Sequence, residues 1–287
     1  MTAASPAPVA KSQSTESVTQ KVNQITIEQK RAPPALWVEK YKPASMNKIV
    51  GQTGAQSCAK KLFNWLSNWE TNQGGSKETR KKAKWSGGKL DDPSGGSARA
   101  ALLSGPPGVG KTTTAHFVAK ELNMDVVEYN ASDTRSKKSI GSVVKSASAC
   151  LSVNVMIKSN KAQKQQKVLI MDEVDGMAGN EDRGGIAELI QIIKSSSIPI
   201  ICICNDRQHQ KIRSLAGHCF DLRFQKPRVE QITGAMMSIC FKEGLKIAAP
   251  AVQNIIRACN QDIRQTINTL SMMASNNKDC DGRLTEK

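Results

Sequence analysis

The sequence predicts an α/β fold in which a parallel sheet flanked by helices is followed by a small domain of three helices. Short apolar runs alternate with helical segments through the middle of the chain, which is typical of strands that are buried on both faces. A glycine-rich loop directly follows the first run, and the strand-like runs stop at Pro227. With 287 residues, the chain is long enough to bury such a core.

The composition suits a globular protein with a polyanionic partner. There are 41 Lys and Arg against 25 Asp and Glu, which gives a formal net charge of +16, and nucleic acid is the simplest polyanion to match it. The longest apolar stretch covers only 198–204, whereas a membrane helix needs ~20 residues, so no membrane partner is expected. The 8 cysteines include no CxxC pair, which predicts a reduced, intracellular protein without a zinc site.

The N-terminal part of the chain predicts a tail, a helix and an insertion. Residues 1–35 are polar and end in two prolines, which indicates a mobile tail. The segment 55–69 has apolar residues at helical spacing, namely Ala59, Leu62, Phe63 and Leu66. A Gly/Ser-rich stretch over about 70–99 predicts a flexible insertion. Its basic run at 77–84 is either a nuclear localisation signal or a plain exposed linker.

Apolar runs and helix signals define the rest of the chain. Strands are predicted at 101–104, 126–129, 168–171, 198–204 and, more weakly, 219–224. Helices are predicted over 229–242 with Gly244 as terminator, from Pro250 to about Asn260, and from Asp262 onward with Ile263, Ile267 and Leu270 on one face. We therefore expect an α/β domain over 36–226, a small helical domain over 227–276 packed on it, and a tail over 277–287.

A phosphate-binding loop is the strongest motif in the sequence. The segment 105–112 matches G-x-x-x-x-G-K-[ST] between a predicted strand and a predicted helix. Lys111 is expected to contact the β- and γ-phosphates of ATP, and the Thr112 hydroxyl to ligate Mg²⁺. The strand–loop–helix context disfavours a chance glycine-rich turn. The nucleotide-binding residues predicted here are Gly105, Pro106, Pro107, Gly108, Val109, Gly110, Lys111, Thr112 and Thr113.

Polar residues at the ends of two further strands complete the predicted site. Asp172 and Glu173 follow four apolar residues; Asp172 would hold Mg²⁺, and Glu173 would orient or deprotonate the attacking water. Asn205 ends the next strand and would fix that water, unless it is an ordinary turn residue. Arg264 lies beside the apolar face of the last helix and would contact the γ-phosphate, unless it is a surface arginine.

Several segments resemble the large subunits of replication factor C, the eukaryotic sliding-clamp loaders of the AAA+ ATPase family. The resemblance runs from 36 to about 274. It is carried by 36–43 (LWVEKYKP), the phosphate loop, 130–135 (NASDTR), 170–177 (IMDEVDGM), 180–185 (NEDRGG), 204–206 (CND) and 261–264 (QDIR).

The resemblance implies roles for residues and partners. Val38, Tyr41 and Val50 would hold the adenine, Asn205 would be sensor 1 and Arg264 sensor 2. ATP would tighten a five-subunit spiral with four small subunits, which opens a clamp of the proliferating cell nuclear antigen type on primer–template DNA in the nucleus. Hydrolysis would then release the closed clamp. A basic stretch without acidic residues would lie near the duplex backbone, and its residues are Arg135, Lys137, Lys138 and Lys145.

The chain departs from the family pattern in three respects. Gly217-His218-Cys219 stands where small subunits carry Ser-Arg-Cys, so this chain should not donate an arginine finger from that position. The clamp-binding segment lacks the usual aromatic pair; Val153, Met156 and Ile157 are either its apolar anchors or part of a core helix. The family's collar domain does not follow the last helix, so the chain is a fragment, a short isoform or an incomplete gene model, and its assembly into a pentamer is left open.

Three functions remain compatible with the sequence. The first is an ATPase module that drives clamp loading, and the second is a scaffold in which bound ATP locks the spiral with little hydrolysis of its own. The third is the large subunit of an alternative or checkpoint loader, which differs from the first in its partner subunits. The sequence therefore predicts ATP and Mg²⁺ as cofactors in every case.

Overall fold

The computed structural model describes residues 36–74, 85–86, 89–90, 94–131, 166–178 and 184–276. The chain divides into two compact units, residues 1–40 and 41–287. The described part of the first unit contains helix α1, Trp37–Lys40. All other described elements, including the three C-terminal helices, belong to the second unit. The predicted tails at 1–35 and 277–287 lie outside the described residues.

The second unit begins with a 3-10 turn at Met46–Lys48, followed by helices α2, Cys58–Ser67, and α3, Trp69–Gly74. Ser57 caps the start of helix α2, because its side chain accepts a hydrogen bond from the Lys60 amide. The apolar spacing correctly predicted a buried face, but Trp65 belongs to that face and Phe63 is only half-buried. The Trp65 indole N–H donates to the carbonyl oxygen of Ala98, which lies two residues before the strand that begins at Ala100.

The expected insertion over 70–99 contains regular structure. Helix α3 extends to Gly74, and strands β1, Trp85–Ser86, and β2, Lys89–Leu90, pair antiparallel. Ala98 is buried. The described part of 70–99 therefore includes a helix end, a short strand pair and a buried residue, and the basic run at 77–84 lies outside the described residues.

A five-stranded sheet forms the centre of the second unit. Its strands are β3, Ala100–Ser104; β4, Asp125–Asn130; β5, Lys167–Asp172; β6, Ile200–Cys204; and β7, Phe220–Arg223. Their spatial order is β4-β5-β6-β3-β7, and every neighbouring pair is parallel. The predicted parallel sheet and its five apolar runs are confirmed. Because the strands are parallel, the residues that follow β3, β5 and β6 all meet at one edge of the sheet.

Helices cover both faces of this sheet. Helices α4, Lys111–Glu121; α5, Gly185–Ser195; and α6, Gln210–Ala216, alternate with the strands. Leu102 and Leu169 pack with α5 and α6 on one face, whereas Leu103 and Ile170 pack with α2 and α4 on the other. Neighbouring residues of one strand thus enter different cores, which is why the apolar runs are continuous rather than alternating.

Three helices follow the sheet, as predicted: α7, Val229–Lys242; α8, Ala249–Ala258; and α9, Ile263–Asn276. Gly244 ends α7 with a φ of +71°, and Pro250 lies in the first turn of α8. Ile267 and Leu270 of α9 are buried, while Ile263 is half-buried. Across the described residues, none of the helices is long and apolar enough to cross a bilayer.

Candidate nucleotide-binding site

The loop between β3 and α4 has the backbone of a phosphate cradle. Gly105, Gly108 and Gly110 have φ values of +151°, +68° and +88°. Residues other than glycine rarely adopt such positive φ values. A Cβ at Gly105 would overlap the Phe224 carbonyl oxygen, so the loop also lies tightly against the end of β7. Val109 is buried in the core on the α2 and α4 side of the sheet and holds the loop against that core. All three positions therefore favour glycine for their backbone conformation, and Gly105 and Gly108 also lack space for a side chain.

The Lys111 ammonium group lies at the centre of this loop. The residue is buried, and its Nζ donates to the carbonyl oxygens of Gly105 and Pro106 at 2.7 and 2.8 Å and to Asn205 Oδ1 at 2.8 Å. Burial lowers the pKa of Lys111, while the nearby thiol of Cys204 and the Asp172 carboxylate act in the opposite direction. The structure thus brings together two predicted site residues, Lys111 and Asn205, that are 94 positions apart in the chain.

A hydroxyl group and a carboxylate meet beside the lysine. Thr112 Oγ1 donates to Asp172 Oδ2 at 2.7 Å, and Asp172 Oδ1 accepts from the Glu173 amide at 2.8 Å. Such oxygen donors suit a divalent cation such as Mg²⁺, so the residues fit the metal that the sequence predicts. Glu173 is exposed and has a φ of +55°, a left-handed conformation that is unusual for a side chain of this size.

Asp175 belongs to this site although the sequence analysis assigned it no role. Its Oδ2 accepts hydrogen bonds from the amides of Asn205 and Asp206 at 2.9 and 3.1 Å. The carboxylate therefore holds the end of β6 in the position from which Asn205 contacts Lys111. Asp175 lies in the 170–177 segment that carries the family resemblance, so the sequence could have marked it as a site residue. Its hydrogen bonds to the amides after β6 depend on the fold.

The last helix lies directly over the phosphate loop. The Ile263 amide donates to the Gly108 carbonyl oxygen at 3.2 Å. Arg264 is exposed in the first turn of α9, and its positive charge contributes to the lowered pKa of Lys111. Arg264, which is predicted to contact the γ-phosphate, thus lies in the same part of the molecule as the phosphate loop.

Two of the three predicted adenine-binding residues, Tyr41 and Val50, belong to the second unit. Val50 is half-buried beside the buried Ile49. The Tyr41 hydroxyl donates to Glu243 Oε1 at 2.5 Å, and Lys242 Nζ lies 5.7 Å from the centre of the Tyr41 ring. Tyr41 therefore contacts the end of α7. Val38 belongs to the first unit.

The remaining predicted contacts lie outside the described residues. They are the DNA-binding residues Arg135, Lys137, Lys138 and Lys145 and the clamp-binding residues Val153, Met156 and Ile157. A groove of about 930 Å³ lies along β7, away from the phosphate loop, and is lined by Arg207, Arg213 and Arg223 among others. Gly217 and Cys219 line it too, and Cys219 is buried.

The fold and the site together define a AAA+ ATPase domain with its helical lid. Residues 101–228 match the family model described as ATPase family associated with various cellular activities (AAA). Residues 229–283 match the model described as RFC1-like, AAA+ ATPase lid domain. The chain belongs to the replication factor C large-subunit family of AAA+ ATPases.

Curated relatives match most of this chain but extend well beyond it. Replication factor C subunit 1 of Homo sapiens is 57% identical over 245 residues, which is 85% of this chain and 21% of the relative. The Drosophila melanogaster protein of that name is 52% identical over 90% of this chain and 27% of its own length. The replication factor C large subunit of Methanococcus maripaludis is 31% identical over 83% and 42%. The chain thus spans less than half the length of these relatives.

A solved structure supports the fold. The Thermotoga maritima RuvB Holliday junction branch migration motor superposes with a TM-score of 0.53 and 17% identity, covering 82% of this chain and 66% of that one. At this level of identity the likeness concerns the fold alone. It agrees with the parallel sheet and lid described above.

Proposed function

We propose that this chain is the ATP-binding and ATP-hydrolysing module of a DNA clamp-loader large subunit. It would act with four small subunits to open a sliding clamp of the proliferating cell nuclear antigen type and load it on primer–template DNA in the nucleus. The observation that carries the proposal is a pair of contacts at one edge of the sheet, from Lys111 to Asn205 and from Thr112 to Asp172. The 57% identity to replication factor C subunit 1 of Homo sapiens adds the substrate class.

In the proposed mechanism each residue acts on the phosphates or on the attacking water. Lys111 binds the β- and γ-phosphates, for which its ammonium group would exchange the carbonyl oxygens that it now contacts. Glu173 accepts a proton from the attacking water, and Asn205 orients that water. Arg264 binds the γ-phosphate from the lid. Loss of the γ-phosphate would release the lid from the α/β domain, which is the switch that the clamp-loading cycle needs.

Thr112 and Asp172 would hold Mg²⁺ at this site. When bound, the ion supplies neutralising charge to the phosphate oxygens. Position 218 is histidine, so this chain would not supply an arginine to a neighbour from there. The arginine that completes its own site would come from an adjacent small subunit.

ATP binding is tested first with Lys111→Ala in the 287-residue chain. We expect calorimetry with ATP and Mg²⁺ to show a loss of affinity of about a hundredfold or more, because a buried charge-assisted contact to the phosphates is removed. The matched control is Lys120→Ala, which removes an exposed lysine from the same helix and should leave affinity unchanged. Equal affinity in both variants would contradict the proposed site.

Hydrolysis is tested with Glu173→Gln in an assembly with four small subunits, clamp and primed DNA. We expect ATP binding to persist while the ATPase rate and clamp loading fall by roughly 10²–10⁴-fold, the usual contribution of general base catalysis. A scaffold that only needs bound ATP gives the opposite pattern, in which Glu173→Gln loads normally and Lys111→Ala prevents assembly. Co-purification of a different set of partner subunits would instead indicate an alternative or checkpoint loader.

A further inference from the structure

The joint between α8 and α9 is tightly fixed to the phosphate loop. The Ile263 amide donates to the Gly108 carbonyl oxygen, and the Asp262 carboxylate occupies the space in which a Cβ at Gly108 would lie. Gly108 itself has a φ of +68°. Any side chain at this position would displace Asp262. The start of α9 can therefore pack on the phosphate loop only because Gly108 has no side chain.

Asp262 also determines where α9 begins. Its Oδ1 accepts from the Gln265 amide at 2.9 Å, and its carbonyl oxygen accepts from the Thr266 amide at 3.0 Å and from the Thr266 hydroxyl. Its own amide donates to the Cys259 carbonyl oxygen at 3.0 Å. Thr266 is fully buried. Asp262 is therefore held by hydrogen bonds to the end of α8 and to the first turn of α9, and its carboxylate lies against the phosphate loop.

The preceding residues reinforce this fixed geometry. Asn260 and Gln261 have φ values of +54° and +63°, and Lys226 Nζ donates to Asn260 Oδ1 at 2.6 Å. Lys226 lies in the segment that leads out of β7. The joint is thus connected to the sheet at a second point, and movement of α9 relative to the phosphate loop requires several interactions to break together.

Arg264 follows Asp262 by two residues, in the first turn of α9. We propose that Asp262 is the positioning residue that sets Arg264 against the γ-phosphate by packing on Gly108. This inference rests on the proposed binding of ATP and adds a specific coupling between the lid and the phosphate loop. A helix cap alone would stabilise α9 without discriminating ATP from ADP, whereas a positioning role concerns only the nucleotide that carries a γ-phosphate.

Two substitutions separate capping from packing. Asp262→Ser keeps a good cap but is too short to fill the space over Gly108, while Asp262→Asn keeps both the cap and the shape. We expect Asp262→Ser to weaken ATP binding roughly five- to tenfold and to change ADP binding by less than about twofold. Asp262→Asn should bind both nucleotides as the unmodified chain does.

Calorimetry with ATP and ADP in the presence of Mg²⁺ measures these affinities, and thermal unfolding reports the stability of each variant. Arg264→Ala should show the same selective loss, and Asp262→Ser combined with Arg264→Ala should be no weaker than Arg264→Ala alone, because both act through one interaction. Ser57→Ala, which removes the cap of α2 instead, is the matched control and should leave both affinities unchanged.

Three results would overturn the inference. They are equal ATP affinity in Asp262→Ser and Asp262→Asn, equal reductions of ATP and ADP affinity, and reductions that add to that of Arg264→Ala. Failure of the unmodified chain to bind ATP would overturn the proposed function as well, so the two failures are distinguishable.

Discussion

At the scale of single residues, the site depends on carboxylates that hold other groups in place. Asp175 accepts from the amides of Asn205 and Asp206, and Asp262 accepts from the Gln265 amide at the start of α9. Asp175 thus fixes the backbone at Asn205, which is proposed to orient the attacking water, and Asp262 fixes it beside Arg264, which is proposed to bind the γ-phosphate. Since backbone position determines where the neighbouring side chain can reach, these carboxylates matter to the proposed chemistry without contacting the nucleotide.

Cys204 gives a residue-scale prediction for the strand end that carries Asn205. The thiol is buried, and burial raises its pKa to about 12, with the nearby Asp175 carboxylate acting in the same direction. Because the thiolate is the reactive form, the folded chain should resist alkylation at Cys204 around pH 8 and react faster only as the pH rises toward 12. Iodoacetamide labelling followed by peptide mass spectrometry measures this.

Cys58 is the internal control, because it is only half-buried. It should be modified well before Cys204 in the folded chain, although burial raises the pKa of its thiol as well. In urea the two thiols should react at similar rates. Rapid modification of Cys204 in the folded chain would contradict the packing at the end of β6.

At the scale of elements, helix α7 shows how position decides the effect of one residue type. Gly234 lies within the helix with open space around its missing Cβ, whereas Gly244 lies past the helix end with a φ of +71°. The Gly244 amide donates to the Phe241 carbonyl, and the Leu245 amide donates to the Cys240 carbonyl at 2.9 Å. These bonds satisfy the last carbonyl groups of the helix and turn the chain toward α8.

We therefore predict opposite effects for two substitutions by alanine. Gly244→Ala should lower the free energy of unfolding by about 1–2 kcal/mol, because a Cβ disfavours the left-handed conformation. Gly234→Ala should raise it by about 0.5–1 kcal/mol, because alanine has the higher helix propensity. Thermal or urea unfolding measures both, and the result would contradict the described end of α7 if the two variants changed stability in the same direction.

At the scale of the whole molecule, the charge of +16 is unevenly distributed along the sequence. Residues 134–167 contain basic residues and no acidic one, and a second basic run lies at 77–84. Contacts between such residues and phosphates give affinity that depends on salt but not on sequence. If DNA affinity depended only on the total positive charge, removing charges from either run would weaken binding equally. If residues 135–145 contact the duplex directly, removing their charges should weaken binding more.

Two variants of equal charge distinguish these cases. One replaces Arg135, Lys137, Lys138 and Lys145 by alanine, and the other replaces Lys77, Arg80, Lys81 and Lys82. We expect the first to reduce the slope of log affinity against log salt by about 0.9 for each DNA phosphate that the protein no longer neutralises, and the second to leave it nearly unchanged. Fluorescence anisotropy with duplex DNA measures the slope. Equal slopes in the two variants would argue against a defined surface at 135–145.

Much of the fold was predictable because its signals are local. The continuous apolar runs identified the five strands, and Gly244 and Pro250 marked helix ends through conformations that the backbone imposes at those positions. The helix pattern at 55–69 was less complete. Trp65 was not predicted to be buried and Phe63 was predicted to be more buried than it is, because the buried face of α2 is decided by its packing against the chain at Ala98 rather than by spacing alone.

The sequence by itself determined the phosphate loop, the acidic pair at the end of β5 and the order of strands and helices along the chain, since each depends on neighbouring residues. Only the tertiary structure decided that Lys111 meets Asn205, that Asp175 holds the end of β6 and that Asp262 lies on Gly108. These contacts join residues far apart in the chain. They arise because parallel strands end at one edge of the sheet, and because a glycine without a side chain leaves room for the lid.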